Sequence, residues 1–386
     1  MSRLKARWRL LAAVLAAGIL ASGAVAIAAT QVTTPVHLAP IATDQLIAST
    51  LRAIADGKPI SGHVSAHVDL GLPSLPIGDI PNLPAGAAGI LASLSGDHKL
   101  RVWRSADGLR VTELLPTSER SLFVNKSAAW FWDFSSFTAY VVRRPAGARN
   151  EPSPSIDPMA IAREALESVT PSTAVTVGPS VSVAGRPAYA LNLEPRTAAT
   201  LVRRVEIDID ATQRLPLRIA VYARGRTAAP LSLSFTQASF ARIDPATFRF
   251  SPPPGAKVRN ISQSGHAGGS GYASSSGGAS GGGYGSGSAT MPALAATQGP
   301  LKITHPLEQG QGLPRVFGSG WAAVVAIRTP AISELRMKAA GFDFTQFLPF
   351  SGPLFSIRLV DRGDHGWLIY GLVPQSALTA VENRLH

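Results

Sequence analysis

The stretch from Leu201 to Val258 constrains the fold most, because apolar and polar residues alternate through consecutive short segments separated by polar turns. In Val205–Asp210, three apolar side chains alternate with three acidic ones, which predicts a strand with one buried face and one face in water. The polar turn Asp210–Arg214 leads into a second alternating run, Leu215–Val221, and Leu231–Phe235 supplies a third. The sequence therefore predicts an antiparallel sheet whose apolar face must be covered by another layer.

Composition excludes several classes of protein. The chain has 386 residues, 45% of them hydrophobic and 16% charged, which is enough for two or three domains with a sizeable core. Cysteine is absent, which excludes disulfides, zinc–thiolate sites, cysteine nucleophiles and lipid attachment through a cysteine. The formal net charge is +12 and is spread without a long basic cluster. This charge is compatible with a solvated basic surface or with weak attraction to an anionic membrane, and nucleic acid is not expected as a partner.

Residues 1–29 have the order of a targeting segment. Four basic residues precede Leu10–Ala29, which carries no charge. Small residues at Ala24–Ala28 fit a cleavage site, but an apolar stretch of this length also suffices to span a bilayer. A cleaved signal peptide and an N-terminal membrane anchor therefore both stay open. Either one predicts an extracytoplasmic protein, secreted or anchored to the cell membrane by residues 10–29.

The remaining chain divides into two predicted domains. Residues 40–260 form the sheet domain, with an amphipathic helix at about 40–58 and a second helix that begins at Asp157–Pro158. Residues 261–290 are a Gly/Ser-rich flexible linker, which predicts loosely tethered domains. Residues 298–386 form a small C-terminal α+β domain. The predicted fold class is mainly β, or α+β.

None of the motifs in the sequence that could suggest catalysis or metal binding has the structural context that such a site needs. Gly278–Gly282 matches the nucleophile-elbow pattern but lies inside Gly/Ser repeats, without the strand and helix that the pattern needs. His63 and His67 would lie about 13 Å apart on a strand, too far for one ion. The acidic side chains of Val205–Asp210 are expected to be solvated. The sequence therefore predicts no enzyme, no catalytic or metal-binding residues and no cofactor.

An aromatic run, Ala129–Phe134, places Trp130, Trp132 and Phe134 on one face of a predicted strand. Three interpretations stay open: a ladder in the core, the wall of an apolar ligand cavity, and a surface for a partner.

Residues 42–258 resemble the LolA/RseB-type half-barrel family, in its actinobacterial, membrane-attached branch. The resemblance rests on the first amphipathic helix with the strand Ser61–Leu70, on the hairpin Val205–Arg218, and on Ile243–Phe250 followed by Pro252–Val258, which is similar to the terminal strand of the family. It implies a curved antiparallel half-barrel sheet lidded by helices. The C-terminal domain resembles the small second domain of the sensor branch.

The resemblance implies a non-enzymatic extracytoplasmic binding protein that holds lipid or lipoprotein acyl chains in an apolar half-barrel cavity. The alternative is a MucB/RseB-like sensor that regulates an anti-sigma factor through contact with its extracytoplasmic segment. Strand alternation selects the apolar side chains expected to contact lipid: Val64, Val68, Leu70, Leu100, Val102, Trp130, Trp132, Phe134, Leu191, Leu193, Ile207, Ile219 and Val221.

Overall fold

A thirteen-stranded sheet dominates the computed structural model, which describes residues 37–71, 95–143, 157–167, 171–260, 314–330 and 348–385. The predicted targeting segment 1–29, most of the Pro-rich stretch between the first two strands, and the predicted linker 261–290 lie outside these ranges. Within the described ranges, no helix is long and apolar enough to cross a bilayer.

The strands of the large sheet follow each other as neighbours over most of its width, in the order β13-β6-β5-β4-β3-β2-β1-β12-β11-β10-β9-β7, with β8 also paired to β9. Their bounds are β1 Ile60–Asp69, β2 Ser95–Ser105, β3 Gly108–Leu114, β4 Glu119–Asn125, β5 Ala128–Asp133, β6 Thr138–Arg143, β7 Thr173–Val177, β8 Val181–Val183, β9 Arg186–Pro195, β10 Val202–Asp210, β11 Pro216–Ala223, β12 Leu231–Ser239 and β13 Lys257–Asn260.

The predicted fold class is confirmed: a large, curved, unclosed sheet with few helices stands beside a separate small sheet. The sheet is mixed, because β13 pairs with β6 in parallel while the other pairs are antiparallel. The strand β7 was not predicted from the sequence. Residues 243–250, which resemble the family's terminal strand, instead contain a short 3-10 helix at Pro245–Phe248.

Two helices, α1 (Thr43–Ala55) and α2 (Pro158–Glu167), lie where the sequence predicts them. The predicted cap of α2 is present, because the Met159 amide donates to Asp157 Oδ1 at 2.9 Å. Both helices pack apolar side chains against the same face of the large sheet. We call this the helix-covered face, and the other side of the sheet the opposite face.

The C-terminal module has a five-stranded sheet in the order β14-β15-β18-β17-β16 and a terminal helix, α3. The bounds are β14 Arg315–Phe317, β15 Val324–Pro330, β16 Phe350–Ser351, β17 Ser356–Asp361, β18 His365–Gly371 and α3 Gln375–Glu382. Its core lies between α3 and the sheet and includes Trp367, Ile369 and Leu378.

The C-terminal module is docked on the large sheet. Trp321 Nε1 donates to Thr173 Oγ1 at 2.9 Å, and the Leu201 amide donates to the Leu372 carbonyl at 2.8 Å. The two modules therefore contact each other directly in the described part of the chain. The flexibility expected of residues 261–290 stays a prediction, because these residues lie outside the described ranges.

Gly352 makes this docking possible, because a Cβ on it would lie only 2.4 Å from the Leu70 carbonyl oxygen. We expect Gly352→Ala to push the module away from the sheet and to lower the free energy of unfolding by roughly 1–3 kcal/mol, the usual range for overpacking. The urea midpoint measures this loss. Ser351→Ala, at an exposed neighbouring position, is the control, and equal midpoints for the two variants would contradict the expectation.

Candidate ligand-binding face

The helix-covered face is apolar across many strands because strand pairing places the apolar residues of each strand directly beside the apolar residues of its neighbours. Ile207 lies between Leu191 on β9 and Ile219 on β11, and Val64 lies between Leu100 on β2 and Phe235 on β12. The face brings together ten of the thirteen side chains that the sequence predicts to contact lipid: Val64, Val68, Leu70, Leu100, Val102, Leu191, Leu193, Ile207, Ile219 and Val221.

These ten residues divide between two apolar clusters that continue into the helices. The cluster around β9–β11 includes Leu46 of α1 and Leu166 of α2. The cluster around β2–β4 includes Ile54 of α1 and Met159 of α2. The C-terminal module adds Trp321, Phe350, Leu354 and Phe355 to the first cluster. The cover of this face therefore comes from three separate segments of the chain.

Polar contacts fix α1 near its two ends. At its start, Tyr189 Oη donates to the Ala39 carbonyl at 3.0 Å. At its end, Arg104 Nη2 donates to the Ile54 carbonyl at 3.2 Å, and Arg104 also pairs with Asp157, the cap of α2. Between these points the helix meets the sheet through apolar side chains.

A charged triad on the same face was not predicted from the sequence. His98 Nδ1 lies 2.8 Å from Glu113 Oε1, and Arg120 Nη2 lies 2.9 Å from Glu113 Oε2. The three side chains are largely buried and come from β2, β3 and β4. Only strand register brings them together, so local sequence carries no signal for the triad. It gives the helix-covered face a polar end beside Leu100.

The three aromatic residues of the predicted set lie elsewhere. Trp130 and Trp132 project from the opposite face, in register with Phe123 and Ser121. Phe250 packs on them, with ring centroids 5.5 Å and 5.8 Å away. Trp132 is buried in this small aromatic cluster, which supports the core-ladder interpretation for it. Phe134, by contrast, is exposed.

The acidic side chains of β10 are not solvated as expected. Asp208 and Asp210 are only 2% and 1% exposed. Arginines cover them: Arg218 Nη1 donates to Asp208 Oδ2 at 3.0 Å and also to Glu206, and Arg186 pairs with Asp210. Alternation placed these acids on the correct face, but their burial depends on cations from β9 and β11. Within the described ranges, no group of three or more His, Asp or Glu is placed to hold a metal ion.

Burial raises the pKa of Asp208 to about 6, because loss of water outweighs the attraction of Arg218. Its Oδ1 is buried without a hydrogen-bond partner in the part of the chain that the structure describes. The charged carboxylate is therefore a cost to the fold at neutral pH.

Comparisons with known proteins found no matching family model and no matching curated protein. Similar solved structures include the Pseudomonas aeruginosa MucA/MucB complex, at 12% identity and TM-score 0.43, covering 88% of this chain and 96% of that chain. A LolA superfamily protein from Nitrosomonas europaea matches at 9% identity and TM-score 0.22, covering 55% of this chain and 99% of that chain. An uncharacterized conserved protein from Thermus thermophilus matches at 13% identity and TM-score 0.33, covering 57% and 99%.

MucB and a LolA superfamily protein, which the sequence resemblance names, are thus both among the similar structures. Their TM-scores lie below 0.5, so these similarities carry no argument about function.

The raised pKa of Asp208 gives a pH-dependent stability. Between about pH 4 and pH 6 the unfolded chain has lost this proton while the folded chain retains it, so the free energy of unfolding falls as pH rises. Across this pH window we expect the free energy of unfolding of the wild type to fall by about 3 kcal/mol relative to that of Asp208→Asn, with no further fall at higher pH. Urea midpoints measured at several pH values test this. Asp107→Asn, at an exposed turn, controls for the change in net charge, and parallel curves for wild type and Asp208→Asn would contradict the expectation.

Trp132 is 6% exposed and packs against Phe250 and Phe137. We expect Trp132→Ala to leave a void and to cost roughly 3–5 kcal/mol, as large-to-small core substitutions do. The urea midpoint of the purified chain measures this. A loss of about 1 kcal/mol or less would instead indicate a space that already admits solvent or ligand.

Proposed function

We propose that this chain is a non-enzymatic extracytoplasmic binding protein whose helix-covered face holds lipid or lipoprotein acyl chains. The observation that carries the proposal is the construction of this face. It is an apolar surface that extends across many strands of the sheet and is covered by two helices and the docked C-terminal module.

An acyl chain can take the place of part of this cover. Leu46, Ile54 and Leu166 meet the sheet through apolar contacts, which have no directional requirement. Each buried methylene contributes about 0.8 kcal/mol, so about ten of them supply roughly 8 kcal/mol towards separating the cover from the sheet. A polar ligand buried against these apolar side chains would lose its hydrogen bonds to water without gaining new ones.

Half-buried side chains mark where such a chain would lie. Val68 pairs with Leu231, and both pack only partly buried against the first cluster. Leu100 and Leu233 occupy the same position relative to the second cluster. These residues follow the middle of the sheet, where β1 joins β2 and β12. We therefore place the acyl chain along this seam, within reach of the ten predicted residues.

The test uses the full chain. We expect lipid to co-purify with it, detectable by solvent extraction and mass spectrometry, and we expect the stripped protein to take up a fluorescent fatty acid. Val68→Asp places a charge on the seam and should weaken fatty-acid uptake at least tenfold. Val316→Asp, at an exposed apolar position of the C-terminal module, is the matched control and should bind like the wild type.

Repeatedly lipid-free extracts together with no fatty-acid uptake would contradict the proposal. The alternative, regulation of an anti-sigma factor through its extracytoplasmic segment, has its own readout. A membrane protein retained by the full chain in a pull-down from detergent extract, in the absence of any bound lipid, would favour the regulator over the carrier.

A further inference from the structure

Exposed apolar side chains gather at one corner of the opposite face. Five large apolar side chains are exposed in the described part of the chain, and only Val316 lies in the C-terminal module. The other four are Leu114, Phe134, Phe137 and Val258, at 37%, 53%, 38% and 50% exposure. We call these four residues the apolar corner.

The four residues are neighbours because of strand pairing. Leu114 ends β3 and pairs with Glu119, whose carbonyl accepts from the Phe134 amide at 3.2 Å. The Phe137 carbonyl accepts from the Lys257 amide at 3.0 Å, directly before Val258. The corner therefore runs across one end of β3, β4, β5, β6 and β13.

The turn that carries the two phenylalanines is strained. Phe137 has φ +49°, in the left-handed region that a bulky side chain rarely adopts. Such a conformation is disfavoured for a residue with a bulky side chain, and glycine or asparagine would relieve it. The ring makes one edge contact with Trp132, at 5.3 Å between centroids, and otherwise leaves 38% of the residue in water. Turn stability therefore does not favour phenylalanine at this position, whereas contact of its exposed ring with an apolar partner would.

Basic residues outnumber acidic ones around the corner, where the exposed Asp97 pairs with His67 and the half-buried Glu119 pairs in register with Leu114. Lys99 pairs in register with Leu114, and Lys257 and Arg259 flank Val258. The chain as a whole carries +12. Exposed aromatic and aliphatic side chains bordered by lysine and arginine fit the boundary of an anionic lipid surface, where the rings enter the interface and the cations meet the headgroups.

We propose that the apolar corner is a membrane-docking surface that inserts into the interface of an anionic lipid bilayer. The proposal is independent of whether the helix-covered face holds an acyl chain. Docking at this corner sets the end of the sheet formed by the β3–β4 and β5–β6 turns against the membrane, and it leaves the opposite end of these hairpins in water.

The absence of cysteine makes a site-specific test possible in the full chain. Thr117→Cys lies in the exposed turn beside Leu114, and Ala246→Cys lies at the other end of the same hairpins, where Phe248 bonds Asn125. Each variant carries one polarity-sensitive fluorophore and is mixed with vesicles of equal parts phosphatidylglycerol and phosphatidylcholine. Because the readout belongs to one position, binding through residues 10–29 does not imitate insertion at the corner.

We expect the label at position 117 to shift to the blue and to lose most of its quenching by iodide, while the label at position 246 stays in water. Phe134→Ser in the Thr117→Cys background should weaken this insertion about tenfold, and it leaves the contact of Phe137 with Trp132 in place. Lys257→Glu should weaken insertion into the anionic vesicles, and Val316→Ser should leave it unchanged. Cooperative urea unfolding near the wild-type midpoint verifies that each variant is folded.

Three results would overturn the proposal. The first is a label at position 117 that remains as accessible to iodide as the label at position 246. The second is undiminished insertion of the Phe134→Ser variant, which would leave non-specific charge attraction as the cause. The third is a blue shift that appears without vesicles and grows with protein concentration, which would assign the corner to contact with a second copy of the chain.

Discussion

The pairing of β1 with β12 is the interaction on which the rest of the molecule depends, because it joins two sets of hairpins that are far apart in sequence. Gly62 permits this pairing, since a Cβ there would lie 1.9 Å from the Gln237 carbonyl oxygen. The irregularity between His63 and Val64 then resets the register so that Val64 faces Phe235. Without this seam, the apolar face would break into two narrower halves, and neither helix would cover a continuous surface.

The two faces of the sheet are shielded from water in different ways. The helix-covered face excludes water with apolar side chains from helices and from the C-terminal module. The opposite face buries Asp208 and Asp210 under Arg218 and Arg186, and buries Trp132 under Phe250. Charge pairs and the segment that contains Phe250 therefore protect this face without a full second layer. Near Gly255, where this segment passes Phe137, the rings of the apolar corner are left exposed.

Local sequence predicted most of the elements correctly but did not predict their mutual placement. Alternation in Val205–Asp210 predicted both the strand and the faces of its residues, and Asp157–Pro158 predicted the start of α2. The same alternation assigned Trp132 to the lipid-contacting set, although its side chain lies on the opposite face. Alternation cannot show which residues of β5 share a face with those of β10, because that depends on the register of every strand between them. β7 (Thr173–Val177) was missed although every residue in it except Ala174 is β-branched, which is the signal that could have revealed it.

The burial of charged side chains was also not predicted from local sequence, for a different reason. A carboxylate on a strand predicts solvent exposure only if no cation can reach it, and Arg218, the partner of Asp208, is only 10 residues away across the β10–β11 hairpin. A hairpin that places arginine directly opposite aspartate, as Arg218 stands opposite Asp208, is thus a sequence signal for a buried pair. The triad of His98, Glu113 and Arg120 comes from three strands, so predicting it requires the register of both strand pairs that join them.

The proposed binding of an acyl chain and the docking of the C-terminal module involve the same part of the helix-covered face. Phe350 and Phe355 of the C-terminal module pack into the same cluster as Leu70 and Ile207. An acyl chain that reached this part of the face would compete with the rings of the module for the same contacts. Its net binding free energy would then be the gain from acyl burial less the loss of the docked contacts, so the position of the module and the occupancy of the face would be thermodynamically linked. The hydrogen bonds of Thr200 and Leu201 to the Leu372 carbonyl lie beside the same cluster, since the Leu372 side chain packs against it. Polar and apolar docking contacts of the module therefore meet at one place on this face.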